Sequence, residues 1–251
     1  MSGNFISEHV FRQTVVFLPE EAEVTGRIGS CAVLRKLEGA AAVHYGALGL
    51  GQEAALRHGC FWALARTEMK IDAPVSVGTE LYLDSWAGRQ AHGLFWLHYR
   101  LTARDGRILL RAASVWVLID VNTRSFTRDR SWLGSRGSWS RPGELPTTLQ
   151  RPVMPALLPE YKERTVRSGE TDANGHLNNA EYARWAEDLL RPDFRAGHAL
   201  RELWVEYKKE LPLGQTAELR YLLDGGVVYL RGTSGEKESF IMRCVYDPIR
   251  Q

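Results

Sequence analysis

Apolar and polar positions along the chain fall into two successive runs of the same kind. Thr14 to Leu18 is β-branched and apolar, which predicts a short buried strand closed by Pro19-Glu20-Glu21. Ser30 can cap a helix, and from it Leu34, Leu37, Ala41, Tyr45 and Leu48 recur at spacings of three and four. That is one face of a long helix, ended by Gly49 and Gly51. The period then changes. Phe61 to Ile71 is apolar and mixed, Pro74 to Gly78 reads as a turn, and Glu80 to Trp86 alternates. Leu94 to Ala103 and Ile108 to Val121 complete a series of strands, with Asp105-Gly106 as a hairpin signal between them. One helix between a first strand and a four-stranded antiparallel run predicts an α+β unit whose helix covers one sheet face.

The second run repeats this order. Tyr161 to Val166 is a strand candidate. A helix follows whose apolar face is Tyr182, Trp185, Ala186, Leu189 and Leu190, closed by Pro192, with Gly197 in the next turn. Strands are predicted at Leu203 to Tyr207, Ala217 to Leu223, Val227 to Gly232 and Ser239 to Tyr246, with Asp224-Gly225-Gly226 as a hairpin turn. Side by side, Gly26-Arg27-Ile28 aligns with Gly175-His176-Leu177, setting Glu23 against Asp172, Thr25 against Asn174 and Arg27 against His176. Further on, Glu68 to Pro74 lies against Glu206 to Pro212. Two copies of one supersecondary unit are therefore expected, as domains 1–128 and 161–251. The linker 129–160 is rich in proline, glycine and serine. Its neighbourhood has a surplus of arginine (124, 128, 130, 136, 141 and 151, against Asp129 and Glu144), which reads as solvated surface or as a face for an acidic protein.

Composition narrows the function classes. A hydrophobic share of 44%, a charged share of 25% and a net charge of +2 describe an ordinary globular chain with no field that demands nucleic acid or a membrane. The three cysteines, Cys31, Cys60 and Cys244, show no CxxC spacing, and the seven histidines form no HExxH motif, so neither disulfide framework nor metal site is indicated. His92 and His98 read as surface or satisfied positions, and Glu53 and His58 as brackets of the loop after the first helix. No apolar run nears the roughly 20 residues of a membrane span, and Met1 to His9 has no signal-peptide pattern. A reducing, cytoplasmic setting is expected.

Chemistry concentrates in Ser168 to Tyr182, where Asp172, Asn174, His176, Asn178 and Asn179 crowd together just before helical periodicity. Asn178 with Glu181 fits an N-cap and N3 pair, which would set the cluster at a helix N-terminus. The plain alternative is an Asx-rich turn that starts a helix. Only the second copy carries the cluster, whereas a purely architectural turn is expected in both; this favours a functional site.

These residues resemble a known family. Asp172-Ala173-Asn174-Gly175-His176-Leu177-Asn178-Asn179-Ala180-Glu181-Tyr182 is similar to the Asp-Xaa-Asn-Xaa-His-Xaa-Asn-Asn-Xaa-Xaa-Tyr signature of acyl-ACP thioesterases. Trp62 to Arg66 with Met69-Lys70-Ile71, Ala113 to Val117, and Val205 to Glu210 resemble it too. The resemblance implies a tandem (double) hotdog of class α+β, two antiparallel sheets each wrapped around a long helix, without cofactor or metal. It implies hydrolysis of fatty acyl-ACP, with an acyl carrier protein as partner, pairing of chains into a homodimer, and an acyl slot between helix and sheet of the N-terminal half. Trp62, Trp86, Trp96 and Trp116 are core candidates there, open to lining the slot. The family's Asp, Asn, His and later Glu correspond to Asp172, Asn174, His176 and Glu210. Plant members carry a Cys once proposed as nucleophile where this chain has Leu211, so a thiol at that place is excluded. Asp172 would activate water or attack the carbonyl itself, Asn174 would position it, and His176 would orient the group or move a proton. Backbone N–H groups of Gly175 and Leu177 would hold the oxyanion. Acyl-CoA hydrolysis, enoyl-thioester hydration and non-catalytic acyl-thioester binding are the competing readings. The five-residue acid-to-His spacing with proline of the hydratases is absent.

Overall fold

A computed structural model describes residues 3–7, 10–23, 25–127, 130–137 and 150–249. Of the arginine-rich neighbourhood, Arg128, Asp129, Arg141 and Glu144 lie outside the described residues, as do 138–149 of the expected linker. Contacts divide the chain into two compact units, Met1–Pro19 with Arg35–Leu149 and Glu20–Leu34 with Gln150–Gln251.

The first unit contains β1 (Gly3–Phe5), β2 (Phe11–Val16), all of helix α1 (Ser30–Ala47) from Arg35 onward, α2 (Gln52–Arg57), β3 (Cys60–Ile71), β4 (Glu80–Ala91), β5 (Leu94–Thr102) and β6 (Ile108–Asp120). Its strands lie in the order β1-β2-β4-β5-β6-β3, each neighbouring pair antiparallel. The expected first strand sits a few residues earlier than its apolar run suggested, because Phe11, Gln13 and Val15 take the buried positions. Leu37, Ala40, Ala41 and His44 form the buried stripe of α1. His44 stacks on Phe11 at 5.2 Å and its Nδ1 meets Ser85 Oγ at 2.9 Å, so the helix packs on the inner sheet face. On the outer face Asp84, 0% exposed, takes Arg12 at 2.6 and 2.9 Å and Arg100 at 3.0 Å. Glu53 and His58 do not bracket a loop: Glu53 lies inside α2 and His58 caps its end. His98 is neither exposed nor satisfied. It is buried against Trp86, and neither ring nitrogen has a partner among the described residues. Burial lowers its pKa to about 4, which keeps the ring neutral.

The second unit contains β7 (Glu160–Thr165), α3 (Glu181–Glu187), α4 (Pro192–Gly197), β8 (His198–Tyr207), β9 (Thr216–Asp224), β10 (Val227–Ser234) and β11 (Lys237–Pro248). Its sheet runs β8-β11-β10-β9-β7, antiparallel throughout. Leaving β1 aside, both units arrange their strands as first, third, fourth, fifth, second. This is a hotdog topology twice over. The helices differ. α1 runs 18 residues, whereas α3 has 7 and gives way to turns at Asp188–Leu190. Pro192 does not close that helix; it opens α4, where its fixed φ and missing N–H cost nothing in the first turn. Among the described residues no helix is long and apolar enough to cross a membrane.

Candidate functional site

The Asp172–His176 cluster is built on a tight turn before α3. Thr171 bridges Leu177, Asp172 N–H donates to His176 O at 2.8 Å, and Gly175 N–H donates to Asp172 O at 3.1 Å. Gly175 has φ +78°, a left-handed conformation that a Cβ disfavours. The expected capping arrangement is not formed. Asn178 Oδ1 accepts from Ala180 N–H at 3.0 Å, an Asx turn ahead of the helix. Glu181 sends its carboxylate to Arg184 (2.8 Å) and Cys31 (3.2 Å). Asp172 therefore lies several residues before the helix start.

Within the turn the carboxylate is tethered on both oxygens. Asp172 Oδ1 accepts from the backbone N–H of Asn174 at 2.9 Å and of His176 at 3.2 Å; Oδ2 accepts from Asn174 Nδ2 at 3.2 Å. Such bonds fix where the carboxylate points.

Glu210 joins the cluster through a pairing that sequence does not reveal. Leu177 N–H donates to Leu211 O at 2.8 Å and Leu213 N–H to Gly175 O at 3.0 Å, so Leu211–Leu213 runs antiparallel to Gly175–Leu177. This brings Glu210 Oε2 to 3.6 Å from His176 Nε2. His176 and Glu210 are both partly exposed, at 27% and 46%, as a site open to substrate requires.

The same bonds correct the oxyanion expectation. The amides of Gly175 and Leu177 are already spent on Asp172 O and Leu211 O, and neither is a free donor. Asn174 Nδ2 keeps a second N–H beyond the one given to Asp172. No cysteine competes as nucleophile. All three are buried; burial and the neighbouring Glu181 carboxylate push the Cys31 thiol up to about 11, and burial likewise raises Cys244.

The first unit holds an apolar cavity of about 100 Å³ between α1 and the sheet. Ala41, Ala42, Tyr45, Gly51, Gln52, Trp62 and Trp116 line it. Of the four tryptophans singled out, Trp62 and Trp116 face this space. Trp86 instead stacks on His98, and Trp96 packs on Ala113 and Val115. Trp62 Nε1 donates to Leu50 O at 2.7 Å and Trp116 Nε1 to Ser114 Oγ at 2.7 Å, which pins both indoles.

Residues 8–129 match the family model described as the acyl-ACP thioesterase N-terminal domain, and residues 158–243 match that of the C-terminal domain. The chain belongs to the acyl-ACP thioesterase family. Asp172, Asn174, His176 and Glu210 all fall in the C-terminal match, and every residue lining the cavity falls in the N-terminal one. The chain is 22% identical over 172 residues to a chloroplastic acyl-[acyl-carrier-protein] hydrolase of Cuphea viscosissima, matching 59% of this chain and 38% of that protein. It is 22% identical over 232 residues to the dodecanoyl-[acyl-carrier-protein] hydrolase of Cinnamomum camphora, matching 86% and 60%. The matches thus span less than two thirds of these relatives' lengths. The solved 12:0-ACP thioesterase of Umbellularia californica superposes with a TM-score of 0.85 at 18% identity, over 98% of this chain and 100% of that one, which establishes the double hotdog fold.

Proposed function

We propose that the protein hydrolyses fatty acyl thioesters borne by an acyl carrier protein, with Asp172 as the leading group. The observation that carries this reading is the convergence of four side chains from two segments: Asp172 and Asn174 bound to each other, His176 on the same turn, and Glu210 at 3.6 Å from His176. Thioester hydrolysis needs a base or nucleophile, a donor for the oxyanion and a proton for the departing thiolate. Asp172 Oδ2 takes a proton from water as the water oxygen bonds to the thioester carbon. The second N–H of Asn174 faces the oxyanion so formed. Collapse of the tetrahedral intermediate breaks the C–S bond, and His176, beside Glu210, gives a proton to the thiolate; Asp172 then loses the proton it took as His176 regains one. The net change is thioester plus water to fatty acid plus thiol.

The cavity of the first unit is, on this reading, where the acyl chain is held. Apart from Gly51 and Gln52 its lining is aromatic and aliphatic, as an acyl chain requires. The carrier and the pairing of chains into a homodimer rest on the family. The experiment is a thiol-release assay with acyl-ACP and acyl-CoA over a range of chain lengths. Release from acyl-ACP in preference to acyl-CoA supports the proposal. Enoyl-thioester hydration without thiol release would sink it, and preference for CoA would move the carrier assignment.

A further inference from the structure

Glu170 lies two residues before Asp172, and its side chain and backbone together hold both ends of the turn. Its carbonyl accepts Asn178 N–H at 2.9 Å, closing the segment 171–177 into a loop. Its carboxylate reaches three elements at once. Oε1 accepts from Arg164 Nη2 on β7 at 2.9 Å and from Trp185 Nε1 on α3 at 3.1 Å, while Oε2 accepts from its own neighbour Arg167 N–H at 2.9 Å. Trp185 is fully buried and Glu170 is 9% exposed, so the clamp is anchored in the core of the unit. Arg164 is itself tied to Asp188 Oδ2 at 2.5 Å and lies 5.2 Å over the Trp185 ring. Burial alone would raise the Glu170 pKa, but Arg164, the Arg167 amide and the Trp185 indole together hold it below the usual value.

We propose that Glu170 is a positioning residue for the hydrolysis: through Trp185, Arg164 and Asn178 it holds the 171–177 turn so that Asp172 and His176 keep their catalytic placement. The inference rests on the thioesterase reading. A carboxylate with three donors from β7, from α3 and from the turn's own approach is more than a surface acid needs. Two of its donors are side chains, Arg164 and Trp185, and Arg164 is fixed there by Asp188 and the Trp185 ring as well. The turn itself is exposed at Ala173, Asn174 and Gly175, so its order depends on what holds its ends.

The test uses Glu170→Gln, Glu170→Ala and Trp185→Phe in the full chain. Gln keeps length and one acceptor, Ala removes the clamp, and Phe keeps the buried ring while deleting one donor. The expected loss in kcat is on the order of a hundredfold for Glu170→Ala and about tenfold for Glu170→Gln, with KM near wild type, because displacement of the reacting groups slows chemistry more than binding. Trp185→Phe added to Glu170→Ala should cost little more than Glu170→Ala alone, since both remove the Trp185–Glu170 bond. Amide hydrogen exchange at 172–178 should quicken in all three, and this readout needs no substrate. Should the wild type release no thiol from any carrier, the hydrolase reading falls and exchange alone decides the clamp. Wild-type kcat and wild-type exchange in Glu170→Gln would overturn the proposal, as would losses of kcat that only follow the unfolded fraction.

Discussion

The turns around Glu23 and around Asp172 share their described backbone bonds and carry different side chains. Each follows a 3₁₀ turn, at Pro19–Glu21 and Ser168–Glu170. Ala22 bridges Ile28 as Thr171 bridges Leu177. Glu23 N–H donates to Arg27 O at 2.8 Å as Asp172 does to His176 O, and Gly29 N–H reaches Glu21 O at 3.3 Å as Asn178 N–H reaches Glu170 O. Gly26 and Gly175 share a left-handed φ, +73° and +78°. The turn is therefore architecture in both copies, and on the proposed reading chemistry is what one copy adds to it. In the other, the positions of Asp172 and His176 hold Glu23 and Arg27, which are drawn into structure: Glu23 pairs with Arg195 at 2.5 Å and Arg27 donates to Arg195 O at 2.6 Å.

The sharpest way to break this comparison is to remove the acid from each turn. Asp172→Ala should lower kcat on the order of a thousandfold while the melting temperature stays near wild type, because Asp172 is half-exposed and its bonds are local. Glu23→Ala should do the reverse, keeping turnover and lowering the melting temperature, as Arg195 loses its carboxylate. Steady-state thiol release and thermal unfolding on both variants decide it. Equal turnover losses would mean that the first turn also serves the reaction.

Glu210 extends the comparison to the segment after the second strand of each copy. Glu210→Gln should reduce kcat about a hundredfold, less than Asp172→Ala, since it acts on the substrate only through His176. Pro74 is its structural counterpart in the first unit. The amides of Asp72 and Ala73 both donate to Leu109 O, those of Lys208 and Lys209 both donate to Ser239 O, and Gly78 and Gly214 donate to Phe17 O and Val166 O. That register lies two residues from the alignment of Glu68–Pro74 with Glu206–Pro212, which had followed the shared prolines. Pro74→Ala should leave kcat unchanged.

How much of this was legible follows from which forces act locally. The long helix, the hairpins and the duplicated turn were readable because apolar period, glycine placement and turn residues are properties of short segments. The approach of Glu210 to His176 was not, since it depends on pairing between 175–177 and 211–213, and no local pattern encodes a partner. The short α3 was misread as long because Leu189 and Leu190 continue its apolar spacing, while the chain turns at Asp188 toward the Arg164 ion pair. The amides of Gly175 and Leu177 looked available because sequence lists donors without showing what they already bind. Glu170 carries no signal in the sequence beyond its place directly before the motif.

A further variant tests the proposed division of labour between the units. Trp116→Ala deletes part of the cavity wall, while Ser114 Oγ keeps its bond to Tyr99 at 2.8 Å. Each extra methylene buried adds about 0.8 kcal/mol, so room for two more should raise the ratio of kcat/KM for longer over shorter acyl chains on the order of tenfold. Ala41→Leu, which fills the same space from α1 without disfavouring a helix, should shift the ratio the other way. An unchanged chain-length profile in both variants, folded and active, would dismiss this cavity as the acyl slot.

The last variants return to the first turn. Ser30 begins α1, yet its hydroxyl does not cap the helix; it donates to Glu187 Oε1 at 2.5 Å, and Ser30 N–H donates to the same oxygen at 3.3 Å. Burial first, and then the nearby Glu23 carboxylate, raise the Glu187 pKa from 4.5 to about 8. Arg195, the Cys244 thiol and the Tyr246 hydroxyl are the other ionisable groups that feel it. The folded chain thus keeps a proton on Glu187 that the unfolded chain releases near the ordinary carboxylate value. Its contribution to stability is fully present below about pH 4.5 and is lost as pH rises to about 8. Within that window the slope is at most about 1.4 kcal/mol per pH unit. Glu187→Gln, which is neutral at every pH, should flatten the fall of melting temperature across the window relative to wild type, measured by thermal unfolding from pH 5 to pH 9. Glu23→Gln should flatten it less, because it removes the neighbouring charge but leaves the burial. If Glu187→Gln and wild type lose stability in parallel, Glu187 is not protonated in the fold, and the first turn holds a charged pair rather than a shared proton.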